Sequence, residues 1–255
     1  MYRDVRPSHG NAETTSTPEM WAANFRHSTR VNARKMLRLS RTREWKLIKR
    51  YVPAGSSIVD MGCGFGEWVQ FLKSRGYRAN GCDYSPELIA RLREAYPNDE
   101  WVQADIRNLP LADASYDALI SWGVIEHDEA GPGAALREFR RVVRPGGHIV
   151  VTVPVDTPWA RHATDYVGYR ESQHAFYQYL LSVDEAREEL AKAGFEVLEA
   201  GTLPIAHIAY AAPRLARALE NRPLAFRIAN FAATSLLSWM ERYRVMLYVV
   251  GRVPR

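Results

Sequence analysis

The chain has 255 residues, 47% of them hydrophobic and 25% charged, with a net charge of +5. This is ordinary for a soluble globular protein and excludes a disordered chain, a collagen and a disulfide-rich miniprotein. The length suits one α/β domain, alone or with appended pieces, whose core needs neither disulfides nor metals.

No uncharged apolar run reaches the roughly 18 residues of a transmembrane helix. The best stretch, Ile228 to Met240, is too short and contains Asn230, Thr234 and Ser235. The N-terminus lacks the apolar core of a signal peptide, so a cytoplasmic protein is expected. Cys63 and Cys82 lack metal-ligand spacing and read as reduced thiols.

In chain order, residues 1–18 are polar and are expected to form a mobile tail. Residues 19–52 suit a helical cap, with Trp21, Phe25, Trp45, Leu47 and Ile48 among many Arg. Short apolar runs follow at Ser57–Met61, Arg78–Cys82, Glu100–Gln103, Tyr116–Ser121 and His148–Val153. Helical patterns lie between them at Glu67–Arg75, Pro86–Ala95 and Ala134–Val143, with Gly76 and Gly146 where helix C-caps are expected. Strands alternating with helices predict parallel βαβ units and a doubly wound α/β sheet. Beyond Pro154 comes an aromatic- and His-rich stretch to Tyr179. Next are a helix opened by a capping box at Ser182–Glu185 and a strand at Phe195–Leu198. Residues 205–242 read as one or two long helices broken near Asn221-Arg-Pro223, inserted before a last strand at Arg244–Gly251. The core is thus 53–204 with 243–255.

Charge is partitioned along the chain. Residues 1–50 carry 12 Lys/Arg against 4 Asp/Glu, residues 51–202 carry 14 against 23, and residues 203–255 carry 8 against 2. Basic ends around an acidic middle fit either solvated helix surfaces or an anionic partner, whether substrate or membrane surface. No nucleic-acid-binding motif accompanies the charge, so nucleic acid is not the expected partner.

Two motifs carry chemistry. Val59-Asp-Met-Gly62-Cys-Gly64-Phe-Gly66 joins the first strand to a helix, and such glycines let a backbone turn sharply and approach a ligand. A ligand-free turn is the bland alternative. The third glycine comes one residue earlier than in the dinucleotide fingerprint, which disfavours a nicotinamide cofactor. Asp83 ends the second strand, where a carboxylate can accept from two ribose hydroxyls. It could instead cap a helix, a role that Ser85 before Pro86 fills better.

Together with Gln103-Ala-Asp105-Ile106, Leu109-Pro-Leu, Ser115–Ser121, Val124-Ile-Glu-His127, Arg141–Gly147 and Lys192-Ala-Gly-Phe195, these motifs resemble the class I S-adenosylmethionine-dependent methyltransferases in order and spacing over residues 55–200. The resemblance implies a mostly parallel seven-stranded sheet with S-adenosylmethionine as cofactor. By this likeness Gly62 and Gly64 lie under the methionine and ribose, and Asp60 faces the methionine ammonium. Asp83 holds the ribose hydroxyls, Tyr84 packs beside the ribose or adenine, and Asp105 accepts the adenine amino hydrogen with Ile106 against the ring. Trp122 and Gly123 floor the sulfonium, and the glycine amides meet the cofactor carboxylate.

Methyl transfer from a sulfonium needs alignment more than an enzyme nucleophile. A base matters only where the acceptor loses a proton, and His127 is the candidate, with capping or packing as its alternative. No metal is expected, because a site needs three or more convergent ligands. His162, Asp165, Tyr166, Tyr169, His174, Phe176 and Tyr177 suit either acceptor contact or a Tyr stripe packed on the core. The expected reaction is methylation of a small-molecule, sugar or lipid-linked acceptor, at oxygen before nitrogen. The acceptor is either anionic or apolar-tailed. The alternative is a non-catalytic S-adenosylmethionine-binding partner subunit. The 205–242 insertion suits an acceptor-site lid, a homodimer interface or a peripheral membrane contact.

Overall fold

Apolar runs separated by glycine and proline turns form a layered α/β fold in the computed structural model, which describes residues 1–7, 17–24, 31–158, 160–161, 174–203, 215, 218–219, 222–237, 240 and 244–255. The elements are β1 (Tyr2–Pro7), α1 (Pro18–Asn24), α2 (Ala33–Leu39), α3 (Arg43–Tyr51), β2 (Ser57–Met61), α4 (Glu67–Ser74), β3 (Arg78–Asp83), α5 (Pro86–Ala95) and β4 (Trp101–Gln103). They continue with β5 (Tyr116–Trp122), a 3₁₀ turn (Ile125–His127), α6 (Gly133–Val142), β6 (Val143–Pro154), β7 (His174–Leu180), α7 (Val183–Lys192), β8 (Glu196–Thr202), α8 (Pro223–Leu237) and β9 (Met246–Arg252).

Seven strands form one sheet in the order β4-β3-β2-β5-β6-β9-β8. The pairs among β4, β3, β2, β5 and β6 are parallel, and β9 runs antiparallel to both β6 and β8. The doubly wound, mostly parallel sheet expected from the sequence is present. The chain leaves β2 toward β3 on one side and reaches β5 on the other. The crevice between their carboxyl ends is where open α/β sheets bind ligands.

Alternate strand residues feed two cores. Val59, Met61 and Leu119 face one cluster with Leu136, Phe139 and Leu190, whereas Ile58, Ala118 and Ile120 face another with Trp45, Phe71 and Leu92. Local signals set the helix ends. The Ser85 side chain accepts the Leu88 N–H with Pro86 in the first turn, and Ser182 and Glu185 close a reciprocal capping box. Gly76, one residue past the α4 C-cap at Arg75, adopts φ 84°, as a left-handed helix stop requires. Gly146, expected in that role for α6, instead lies inside β6, because α6 ends at Val142 and Val143 is its C-cap.

One expectation about the N-terminus is corrected. Residues 2–7 are not a mobile tail. They form β1, paired antiparallel with β7, whose backbone supplies the ladder. Within 19–52 the described residues form α1, α2 and α3. Trp45, Leu47 and Ile48 of α3 are buried in the main core, and Arg43, Arg50 and Tyr51 converge with Tyr248 on the Glu199 carboxylate at 2.7–3.0 Å. In α2, Lys35 and Arg38 pair with Glu67. Part of the N-terminal positive charge is therefore neutralised within the fold.

Of the aromatic stretch, His174, Phe176 and Tyr177 lie in a strand, β7. Phe176, Gln178 and Leu180 are buried with a period of two. His162, Asp165, Tyr166 and Tyr169 lie outside the described residues, as does most of 205–242 beyond α8. No helix among the described residues is long and apolar enough to cross a membrane.

Candidate active site at the carboxyl ends of the parallel strands

Sheet register brings three motifs to one edge. Asp60 sits opposite Gly81 on β3 and Ile120 on β5, one residue before the glycine loop. The loop is held by its own strand neighbours. The Gly62 and Cys63 N–H groups donate to the Cys82 carbonyl at 2.8 and 2.9 Å, and the Gly64 N–H donates to Asp83 Oδ2 at 2.9 Å. The amides of Gly62 and Gly64, expected to meet the cofactor carboxylate, are thus already bonded within the protein. A Cβ at Gly62 would stand 2.3 Å from Val124 Cγ2, and one at Gly66 would stand 2.5 Å from Trp101. Those glycines answer to packing. Gly64 holds a positive φ of 51° beside Asp83, in the left-handed region that a β-branched side chain resists.

Asp60 and Asp83 are both buried. Each Asp83 oxygen accepts one backbone N–H, from Gly64 and from Ser85, which leaves lone pairs for further donors. Burial still raises its pKa against those bonds. Asp60 Oδ1 has no hydrogen-bond partner among the described residues. Burial, then the Asp83 charge, pushes the Asp60 carboxyl up to about 8. An unpaired buried carboxyl is costly to maintain, and its place at the strand edge makes it a candidate functional group.

The other expected residues line the rim. Tyr84 is 47% exposed beside Asp83. Asp105 is gripped by Arg107 through Nε and Nη2 at 2.6–3.1 Å, which lowers its pKa; Arg107 also lies 3.6 Å from Asp128. Ile106 is partly buried against the first core cluster. Trp122, at the end of β5, lies 5.1 Å from Trp68 between ring centroids, and its buried Nε1–H lacks an acceptor among the described residues.

His127 is held from three sides. Its Nδ1 lies 2.7 Å from the Tyr177 carbonyl oxygen, and its ring meets Trp21 and Tyr177 edge-on at 4.8 and 5.0 Å. A carbonyl only accepts, so Nδ1 carries the proton and neutral His127 keeps its lone pair on Nε2. Nε2 is 3.8 Å from Glu126 Oε1. In the sequence Glu126 stands directly before His127, where a carboxylate could raise the imidazole pKa. It is buried, Oε2 is without a partner among the described residues, and burial pushes its carboxyl up to about 8. Gly123, at φ 69°, leaves open the space beside it, for a Cβ there would lie 3.3 Å from Glu126 Oε1. The available signal was an acid directly after apolar Val124-Ile125, immediately past a buried strand.

Unmet groups of both kinds fit S-adenosylmethionine. The partnerless Asp60 oxygen suits an ammonium, the spare Asp83 lone pairs suit a diol, and the Trp122 Nε1–H offers a donor. Cys63 and Cys82 are free and buried; burial raises both thiols, Cys82 to about 12, so neither is poised as a nucleophile.

Comparison with known proteins gives the same reading. Residues 59–151 match the family described as "Methyltransferase domain". The chain is 34% identical over 103 residues to a malonyl-[acyl-carrier protein] O-methyltransferase of Pectobacterium atrosepticum, covering 40% of each chain. It is 30% identical over 139 residues to a demethylmenaquinone methyltransferase of Paenarthrobacter aurescens, covering 52% of this chain and 54% of that one. The chain spans about half the length of the curated relatives it matches. In fold it resembles an S-adenosylmethionine-dependent methyltransferase from Mesorhizobium loti, with a TM-score of 0.57, 22% identity, and coverage of 84% of this chain and 99% of that one.

Proposed function

We propose that this chain, which carries a class I S-adenosylmethionine-dependent methyltransferase domain, moves a methyl group to a hydroxyl oxygen of a small-molecule, sugar or lipid-linked acceptor. The bound cofactor supplies an electrophilic methyl on a sulfonium. Asp60 receives the ammonium of its amino-acid tail, and Asp83 receives the ribose hydroxyls while fixing Gly64. Asp105, anchored by Arg107, turns its remaining lone pairs to the adenine amino group, with Ile106 against the ring. Tyr84 and Trp122 wall the site.

His127 takes the acceptor proton on Nε2, the nitrogen left with a lone pair by the Tyr177 bond. The imidazolium then stands near Glu126 Oε1, whose carboxylate form favours it. The oxygen assignment draws on this base and on the name of the O-methyltransferase relative. The observation that carries the reading is the buried, partnerless Asp60 oxygen beside Asp83 at the end of β2. Candidate acceptors incubated with methyl-labelled cofactor, with product mass as the readout, test it. A labelled hydroxyl supports the assignment, whereas label on nitrogen or carbon only would reject it.

Asp83→Ala should weaken S-adenosylmethionine and its demethylated product alike by about 1–3 kcal/mol, the range for lost charge-assisted hydrogen bonds. Calorimetry on both ligands checks this, and unchanged affinities would remove Asp83 from the ribose.

A further inference from the structure

Helix α8 is built inside out. Among its described side chains, the large apolar Leu224, Ile228, Phe231 and Leu236 are 70%, 61%, 74% and 67% exposed, whereas Ala233 is 7% exposed and Ala225 and Ala229 are half-buried. Leu224, Ile228 and Phe231 follow at spacings of four and three, which places them on one face, and Leu236 extends the apolar surface at the helix end. A helix packing onto its own core turns these residues inward. Here Ala225, Ala229 and Ala233 turn inward while Leu224, Ile228, Phe231 and Leu236 face out.

Charge selects the occupant. The helix contains no acidic residue, and residues 203–245 carry six Lys/Arg against two Asp/Glu. Exposed Arg222 immediately precedes the first turn. Pairing two copies of this surface would bring like charges together with no acid on the helix to meet them, whereas an anionic lipid surface complements them. At 15 residues α8 is too short to span a bilayer, which takes about 20.

The topology gives the surface a use. The segment leaves the sheet after Thr202, which pairs with Leu247, and returns at Met246, which pairs with Pro154 at the carboxyl end of β6. The Leu203 N–H donates to the Met246 carbonyl at 2.8 Å, closing the base of the segment, and the Met246 methyl lies 3.8 Å from the position of a Cβ on Gly123. The insertion is therefore rooted beside Glu126, at the strand edge that carries Asp60 and Asp83.

We propose that α8 docks the chain on an anionic lipid bilayer, lying in the interface with Leu224, Ile228 and Phe231 among the acyl chains. The surface stands independently of the acceptor assignment and gives a membrane-borne acceptor access to that edge. The test is co-sedimentation of the full chain with vesicles of phosphatidylglycerol in phosphatidylcholine, compared with pure phosphatidylcholine, at low and high salt. The chain should pellet with the anionic vesicles at low salt and be released by high salt. Ile228→Glu and Phe231→Glu should each reduce binding at least about tenfold. Both positions are exposed, so an unchanged melting temperature separates lost docking from misfolding. Absence from the anionic pellet at low salt would overturn the proposal, as would equal binding to neutral vesicles or full binding by Phe231→Glu. Light scattering that shows a dimer split by Phe231→Glu would assign the face to a second copy and overturn it as well.

Discussion

With a hydroxyl acceptor, His127→Ala lowers kcat by about 10²–10⁴ and leaves cofactor affinity nearly unchanged, the range for a lost general base. The ring also packs between Trp21 and Tyr177, so a second substitution separates chemistry from packing. His127→Asn retains a side-chain N–H for the Tyr177 carbonyl but offers no basic nitrogen. It should match the alanine variant in kcat while melting closer to the wild type. Recovery of activity in His127→Asn would return His127 to a structural role. Glu126→Gln should lower kcat less than either, because it removes the charge near Nε2 and not the nitrogen itself.

Asp60→Asn produces the second large effect, and its sign depends on pH. A free Asp titrates near 4. In the fold Asp60 is pushed up to about 8 by burial and then by the Asp83 charge. The neutral form is thus favoured by folding. Its contribution to stability is complete below the unfolded value and is lost as pH rises through about 8. At pH 8.5 and above, roughly where Asp60 ionises, Asp60→Asn should therefore melt higher than the wild type. Binding runs the other way. The cofactor ammonium favours the carboxylate, so wild-type affinity should rise with pH toward about 8 and binding at lower pH should release a proton. Asp60→Asn should flatten that dependence and weaken S-adenosylmethionine about 10–100-fold at high pH, the loss of a hydrogen bond to a charged group. Calorimetry in two buffers of different ionisation enthalpy measures the released proton. A variant that is less stable and still pH-dependent in binding would contradict the assignment.

The central sheet was legible because its signals are local. The β2, β3 and β5 runs, the Ser85-Pro86 start and the Ser182–Glu185 capping box each act over a few residues, and they lie where expected. Asp60 and Asp83 were legible for the same reason, each ending a short apolar strand. What failed depends on distant partners. Residues 2–7 hold two Arg, an Asp and a Pro, and become a strand only against β7, whose Leu180 pairs with Tyr2. Val124 packs so close that residue 62 must be glycine. The basic residues of α2 and α3 read as either a solvated surface or a surface for a partner, and the ion pairs with Glu67 and Glu199 that neutralise several of them are long-range. Glu126 stood out only once its burial was seen, because an acid following an apolar pair reads equally well as a solvated turn.

Titration of the full-length chain with S-adenosylmethionine, its demethylated product and a nicotinamide dinucleotide in one calorimeter tests the central claim most directly. The first two should bind competitively at a shared site that Asp83→Ala weakens for both, and the dinucleotide should give no heat of binding. Saturable heat from the dinucleotide, with none from S-adenosylmethionine, would contradict the account.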